Sequence, residues 1–477
     1  MKKTYLFYDI ETSGLNKAFD QVLQFAAIRT DSDLNEMERH EIWVRLSADT
    51  IPSPGAVITH HITPEATAQG LPEIEAIVKI HQLLNMPGTI SVGYNTLGFD
   101  DEFLRFSFYR NLLPPYTHQW ANGCSRFDIA PLCPLYYLYK NECIKWPEDP
   151  DKPGKISLRL ENLSRINQLA DGSAHNAMVD VVATLELAKL LRQESEIWQY
   201  VIGFFDKNTV AERTHALLPA FTYKQQTFRE GLFIHIKAGC ENAYQAPVLA
   251  LGNHNHYRNQ MLWLRLDSEK LMQTTPATIP ENTWVYKLKT GEANIVLPLT
   301  ERFSRLSQER QWRVEQNKKW LEGNPDLFFA IMNYHKNYTY PNIPHVDIDA
   351  ALYQNGFLSD DEQRLCAYFH AAHSGHEKAA YLGKLPENLR QQAVRIMGRN
   401  YPNCLPKNHA EEFAAYLRDI ATADENTILI DYKGNKRLTP NAALTELQKL
   451  RNAPEMTKEK LHLLDELEKY LHKKFKE

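Results

Sequence analysis

The chain lacks any metal-finger or disulfide signature. Its six cysteines, Cys124, Cys133, Cys143, Cys240, Cys366 and Cys404, include no CxxC pair. They read as scattered reduced thiols, not as a zinc site or a disulfide framework. No apolar run approaches the roughly 20 residues that a bilayer-spanning helix needs. Lys2 and Lys3 precede a short apolar stretch, but it stops at Asp9, too soon for the core of a signal peptide. Internal repeats and low-complexity tracts are missing as well. So is an excess of positive charge: the formal net charge is −5. Any contact with nucleic acid must therefore come from a local basic lining and not from bulk attraction. A cytoplasmic globular protein is expected.

What is present is ordinary core-forming composition, 43% hydrophobic and 11% aromatic over 477 residues, a length that suggests roughly three domains. Tyr5 to Tyr8 read as a short buried strand that runs into Asp9-Ile10-Glu11-Thr12-Ser13-Gly14. Side chains on a strand repeat with period two, so Asp9 and Glu11 share a face. Two carboxylates at the end of a buried strand repel unless a cation lies between them, and a hard divalent cation wants such oxygen ligands. The turn that follows is expected to use Gly14 at positive φ. Val22 to Thr30 and Glu41 to Leu46 read as two further strands, completing an antiparallel meander. A helical region is expected to start at Ile62-Thr63-Pro64-Glu65, and Ile74 to Leu84 carry a helical stripe.

A second polar turn, Asn95 to Phe99, leads into Asp100-Asp101-Glu102 and a helix. Asn141 to Gly154 reads as a surface loop, and Ser157 to Leu163 opens a short helix. A third stretch, Ala174 to Thr184, holds His175 and Asp180. Five helical positions rotate a side chain by about 140° past the start, so the two diverge if both are helical. To face one site, His175 must lie on the loop before the helix. Gln193 to Arg213 reads as a charged helical connection. Short alternating strands follow around residues 232–237, 247–251, 261–266 and 283–288, and the pattern is helical again from Asp349.

Asp9, Glu11, Asp100 and Asp180 together are untenable without cations. Two Mg2+ ions would neutralise them, grip a phosphodiester, activate water and steady the leaving oxygen. Histidine is the residue type suited to proton transfer near neutral pH, so His175 is the candidate general base.

Asp9-Ile10-Glu11-Thr12, Asn95 to Asp100, and His175 followed by Asp180 resemble, in order, the three motifs of the DEDD exonuclease superfamily in its histidine subtype. Gln24 to Asp31, Ile62 to Glu65, Phe99 to Glu102, Ser157 to Leu163 and Leu352 to Ser359 resemble bacterial exonuclease I more specifically. The resemblance implies an α/β, ribonuclease-H-like exonuclease domain over residues 1–192. It implies a β-rich SH3-like domain over 197–346 and an all-α C-terminal domain over 349–475. It further implies a Mg2+-dependent, processive 3′→5′ exonuclease on single-stranded DNA, with Mn2+ able to substitute, acting in repair and recombination. A monomer that docks the tail of the single-stranded DNA-binding protein is implied too.

By position, Asp9, Glu11, Asp100 and Asp180 would be metal ligands and His175 the base. Glu11 and Arg159 would touch the DNA near its 3′ end, while Arg105, Tyr116 and Trp120 would line its path. One departure stands out. The family's basic contact shortly after Asp128 is replaced here by Ile129-Ala130-Pro131-Leu132-Cys133-Pro134. The catalytic residues alone do not separate DNA from RNA, since that choice turns on the 2′-OH. An exoribonuclease and a non-catalytic strand-binding clamp are the alternative readings.

Overall fold

The structure, a computed structural model, describes residues 3–172, 175–422, 427–454 and 456–475. The first strand, β1 (Thr4–Thr12), is central. It pairs antiparallel with β2 (Val22–Thr30), which pairs antiparallel with β3 (Glu36–Trp43). Two helices follow, α1 (Pro54–His60) and α2 (Glu73–Leu84). Then β4 (Thr89–Gly93) lies parallel to β1 on its other side, α3 (Asp100–Arg110) crosses back, and β5 (Ser125–Asp128) extends the sheet. The order is β3-β2-β1-β4-β5. Next come α4 (Cys133–Tyr139), the small hairpin β6 (Glu148–Asp149) and β7 (Lys152–Ile156), α5 (Leu160–Asn167) and α6 (Ala177–Arg192).

Strand parity decides which layer meets which residue. Leu6, Tyr8 and Ile10 pack with Ile77 and Ile80 of α2 and Phe103 and Leu104 of α3. Phe7, on the opposite face, packs with Ala177 and Val181 of α6. Asp9 and Glu11 share parity with Phe7, so they face the layer that carries Asp180.

Helices α7 (Ser195–Ile202) and α8 (Lys207–His215) lead to β8 (Pro219–Tyr223), β9 (Gln226–Ile234), β10 (Gln245–Asn253) and β11 (Gln260–Arg265). After the single turn α9 (Ile279–Asn282) come β12 (Val285–Lys289) and β13 (Val296–Leu297). This second sheet runs β12-β11-β10-β9-β13, with β8 also on β9. Helices α10 (Gln308–Gly323) and α11 (Pro325–Asn337) follow. The rest is helical: α12 (Asp360–Ala371), α13 (Gly375–Tyr381), α14 (Glu387–Asn400), α15 (Lys407–Thr422), α16 (Pro440–Arg451) and α17 (Lys458–Phe475). None of the described helices is long and apolar enough to cross a membrane.

Several local expectations change. Residues 62–70 form turns, and the helix lies earlier, with Pro54 in its first turn, where a missing N–H leaves nothing unpaired. His61 ends that helix at φ 62°. Strand β3 starts at Glu36, five residues before the alternating stretch. Part of the loop expected over Asn141 to Gly154 belongs to the β6–β7 hairpin. Gly14 does not take positive φ. It is needed because a Cβ there would lie 2.4 Å from the carboxylate of Asp20.

The helical end is joined to the first sheet by buried charge. The Arg399 guanidinium on α14 donates to both oxygens of Asp49 and also reaches Asp349. Tyr416 donates to Asp49 at 3.0 Å, and Arg437 binds the Asp49 carbonyl. Burial pushes the Asp49 carboxyl upward, but Arg399 and Arg437 outweigh it and hold it well below the usual carboxylate range. Asp349, buried and met by Arg399 and Arg395, falls to about 2.

Removing one member of such a set leaves an uncompensated charge. Arg399→Ala should cost about 3–5 kcal/mol in denaturant unfolding. Because these carboxyls titrate lower in the folded chain, their contribution is present above about pH 4 and is lost as pH falls toward the folded values. A wild-type loss across that range that Arg399→Ala does not share would be the signature in an acid titration.

Candidate active site

Strand β1 delivers Asp9 opposite Ala26 and Glu11 opposite Gln24 of β2. Gln24 is buried, and its side-chain oxygen accepts the N–H of Ala177 at 3.4 Å, seating the start of α6 beside Glu11. Asn176 caps that helix through the N–H groups of Met178 and Val179. Asp180, in the first turn, is thereby brought to the strand end. Asp9, Glu11 and Asp180 each offer a carboxylate oxygen, all within 4.8 Å of one another.

Asp100 stands outside this triad. It opens α3, which packs on the other face of the sheet, and so reaches the strand end from the opposite layer. There the backbone N–H groups of Ile10 and of Asp100 itself favour its charged form, while burial nevertheless raises it to about 7. Its charge is still felt across the gap. Burial first, and then Asp100, Glu11 and Asp180, push Asp9 well above the ordinary range. Burial, Asp180 and Asp100 raise Glu11 to about 9. Burial lifts Asp180 to about 6, partly opposed by His175. A set of oxygen donors that resist ionising together fits a divalent cation, which would remove the cause of the resistance.

His175 lies on the loop before α6, as the helical phase requires, with φ 62°. Its backbone N–H donates to Asp180 Oδ2 at 3.2 Å, and its Nε2 is 3.2 Å from Glu161 Oε2 on α5. Ala174 lies outside the described residues.

Three supporting residues escaped the sequence reading. Glu161 holds the histidine ring. Asp128 accepts the N–H groups of Asn95, Leu97 and Ala130, fixing the turn that precedes Asp100. Asp101 gathers His118, Gln119, Arg126 and Arg105. The Asp-Asp-Glu run is the one sequence signal for Asp101; Glu161 and Asp128 have none, because their partners are distant in the chain.

The expected DNA contacts divide. Arg159 is exposed, and its ion-pair partner among the described residues is the exposed Asp151 at 2.9 Å. Trp120 is 70% exposed. Arg105 is buried, its Nε 3.3 Å from Asp101, its guanidinium 5.9 Å from the Tyr116 ring and 5.8 Å from that of Tyr353. In the departing stretch, Ile129, Ala130, Leu132 and Cys133 belong to the core.

Residues 6–188 match the exonuclease family, and residues 346–474 match the exonuclease I C-terminal domain. Exodeoxyribonuclease I of Escherichia coli is 30% identical over 447 residues, covering 89% of this chain and 91% of that protein. The crystal structure of E. coli exonuclease I in complex with a dA16 oligonucleotide superposes with a TM-score of 0.84 at 25% identity, covering 99% of this chain and all of the other. A zinc-bound complex of the same enzyme with single-stranded DNA gives 0.81 at 25% identity, with the same coverage.

The carboxyls of the triad titrate higher in the folded chain than in the unfolded one. Without a divalent cation, stability should therefore decline as pH rises from about 4, where the unfolded carboxyls ionise, through about 6 for Asp180 to about 9 for Glu11, the folded values. A cation bound only by the folded chain restores it, by about 2.7 kcal/mol at a hundredfold excess over Kd. Glu11→Gln should flatten the metal-free pH dependence and lose most of the cation-induced rise in unfolding temperature.

Proposed function

Because the chain belongs to the exonuclease I family, we propose that it hydrolyses single-stranded DNA from the 3′ end, releasing 5′-mononucleotides, with Mg2+ held by Asp9, Glu11, Asp100 and Asp180. The observation that carries this reading is the convergence of Asp9, Glu11 and Asp180 on one point, with His175 tethered beside them. When bound, a pair of divalent cations supplies neutralisation, an acidified water and stabilisation of the leaving oxygen. Mn2+ would substitute.

The chain's own residues do the rest. His175 takes the proton of the attacking water, and Glu161 holds its ring in place. Asp128 and the Asp101 hub keep the Asp100 turn rigid. Glu11 and Arg159 meet the last nucleotides, the arginine through a planar fork suited to phosphate. Tyr116 and Trp120 offer aromatic faces to bases without reading sequence, and Arg105 props up Tyr116 from below.

Continuous packing supports processive action. The first sheet's helices share buried clusters with the helical end, as when Ile74 and Leu112 pack with Phe369 and Leu389. Tyr353 and Tyr432 also donate to Glu102, two residues past Asp100. A strand enclosed by parts held this rigidly dissociates less often than it advances. Family membership supports a monomeric cytoplasmic enzyme of repair and recombination that docks the tail of the single-stranded DNA-binding protein. It also supports the division of the chain at 1–192, 197–346 and 349–475.

The test is a 5′-labelled single strand with Mg2+. A ladder shortening from the 3′ end is expected, abolished by Asp180→Ala and slowed about 10²–10⁴-fold by His175→Ala. Equal cutting of matching RNA would make the enzyme a broad-specificity nuclease, and strand binding without cutting would make it a clamp.

A further inference from the structure

Helix α1 touches the catalytic strand through a side chain that belongs to none of the motifs above. His60, the last residue of α1, is buried. Its Nδ1 accepts the N–H of Ile62 at 2.9 Å, so in the neutral ring the hydrogen sits on Nε2. That Nε2 lies 3.1 Å from the carbonyl of Thr12, to which it donates. Burial lowers the ring's pKa to about 4 against the pull of that carbonyl, and His61 and His175 add to the lowering. The ring therefore stays neutral at neutral pH, keeps this donor pattern, and lies near enough to the active site to sense His175.

The carbonyl it holds is at an interruption of the sheet. Glu11 pairs with Gln24, but Thr12 pairs with Val22, which leaves Leu23 as an extra residue on β2. The ladder is broken immediately after Glu11. A break of this kind bends the strand and re-aims the side chains beside it. Whatever fixes Thr12 therefore fixes the direction of the Glu11 carboxylate, which lies within 4.8 Å of those of Asp9 and Asp180 and is repelled by them.

The ring stands on a firm base. Ser53, just before α1, donates its N–H to the Ser13 carbonyl at 2.7 Å. Glu446 on α16 accepts the N–H of Gly55 at 3.0 Å and the hydroxyl of Ser53 at 3.3 Å. Val57 packs among Ala443, Leu447 and Leu464 of the last two helices. His60 is thus presented to Thr12 by a packed helix and not by a loose loop, as precise positioning requires.

We propose that His60 is a positioning residue of the metal site: by holding the Thr12 carbonyl it orients Glu11 toward a cation shared with Asp9 and Asp180. This rests on the reading of those carboxylates as metal ligands. A histidine that only fills the core would stabilise the fold without altering affinity for a cation, and removing its N–H separates the two roles.

The experiment titrates Mn2+ into the full chain by calorimetry, without DNA. His60→Leu removes the donor while filling most of the space, and Mn2+ affinity should fall about 10–100-fold. His60→Gln, whose amide N–H can reach the same carbonyl, should recover most of it. Affinity for labelled oligo(dT) in EDTA should be the same in all three proteins. His60→Asn, polar but too short to reach Thr12, takes the place of the leucine variant if that does not fold, with the same loss expected. Unchanged Mn2+ affinity on loss of the donor would overturn the proposal. So would a glutamine variant as weak as the leucine one, or a loss of strand affinity in EDTA with Mn2+ affinity intact, which would make His60 a strand contact. Weak Mn2+ binding by Glu11→Gln beside tight binding by wild type tests the underlying metal reading separately.

Discussion

The mutual repulsion of Asp9, Glu11 and Asp180 has to be held in place by the structure around it. Two kinds of support carry the three carboxylates. Two share one face of a central strand, and the third is set by a helix whose first N–H is tied to Gln24 on the neighbouring strand. Neither support can relax to separate the charges without breaking buried packing between the sheet and α6. The site therefore keeps its carboxyls reluctant to ionise and suited to a divalent cation.

That strain is confined by a second set of charges, oppositely arranged. Asp49 and Asp349 are buried more deeply than the half-buried Asp9, Glu11 and Asp180, yet Arg399, Arg395 and Arg437 hold them ionised. Here charge is satisfied within the chain, and the result is attachment of the helical end to the exonuclease region. In one place carboxylates lack cationic partners among the described residues and face a site; in the other they have them and form a joint. Asp101 follows the second pattern one residue away from Asp100, and this contrast keeps the Asp100 turn rigid at the edge of a repulsive cluster.

Much of this was legible in the sequence. Val22–Thr30 is the strand its apolar run suggests, the first three strands form the expected meander, and His175 lies on the loop that helical phase demands. The misreadings share a cause. The helix expected from Ile62 begins instead at Pro54, because only its environment shows that the missing N–H would have been unpaired. Gly14 looks like a φ residue but is a close-contact residue, because Asp20 folds back onto it. Arg105, which the resemblance places along the DNA's path, is buried against Asp101, a partner that sequence spacing alone does not reveal.

The sequence by itself determined the residue types, their order and their local phase. Asp9 and Glu11 had to share a face, and His175 and Asp180 could not both point inward from one helix, since both statements follow from the repeat of a strand and of a helix. Tertiary structure decided what depends on contact between distant segments. It placed Asp180 with Asp9 and Glu11 but kept Asp100 apart, because α6 and α3 cover opposite faces of the sheet. It gave His175 its partner Glu161. Local periodicity carries no information about which layer a helix joins, and that choice is made by the burial of apolar faces across the whole chain.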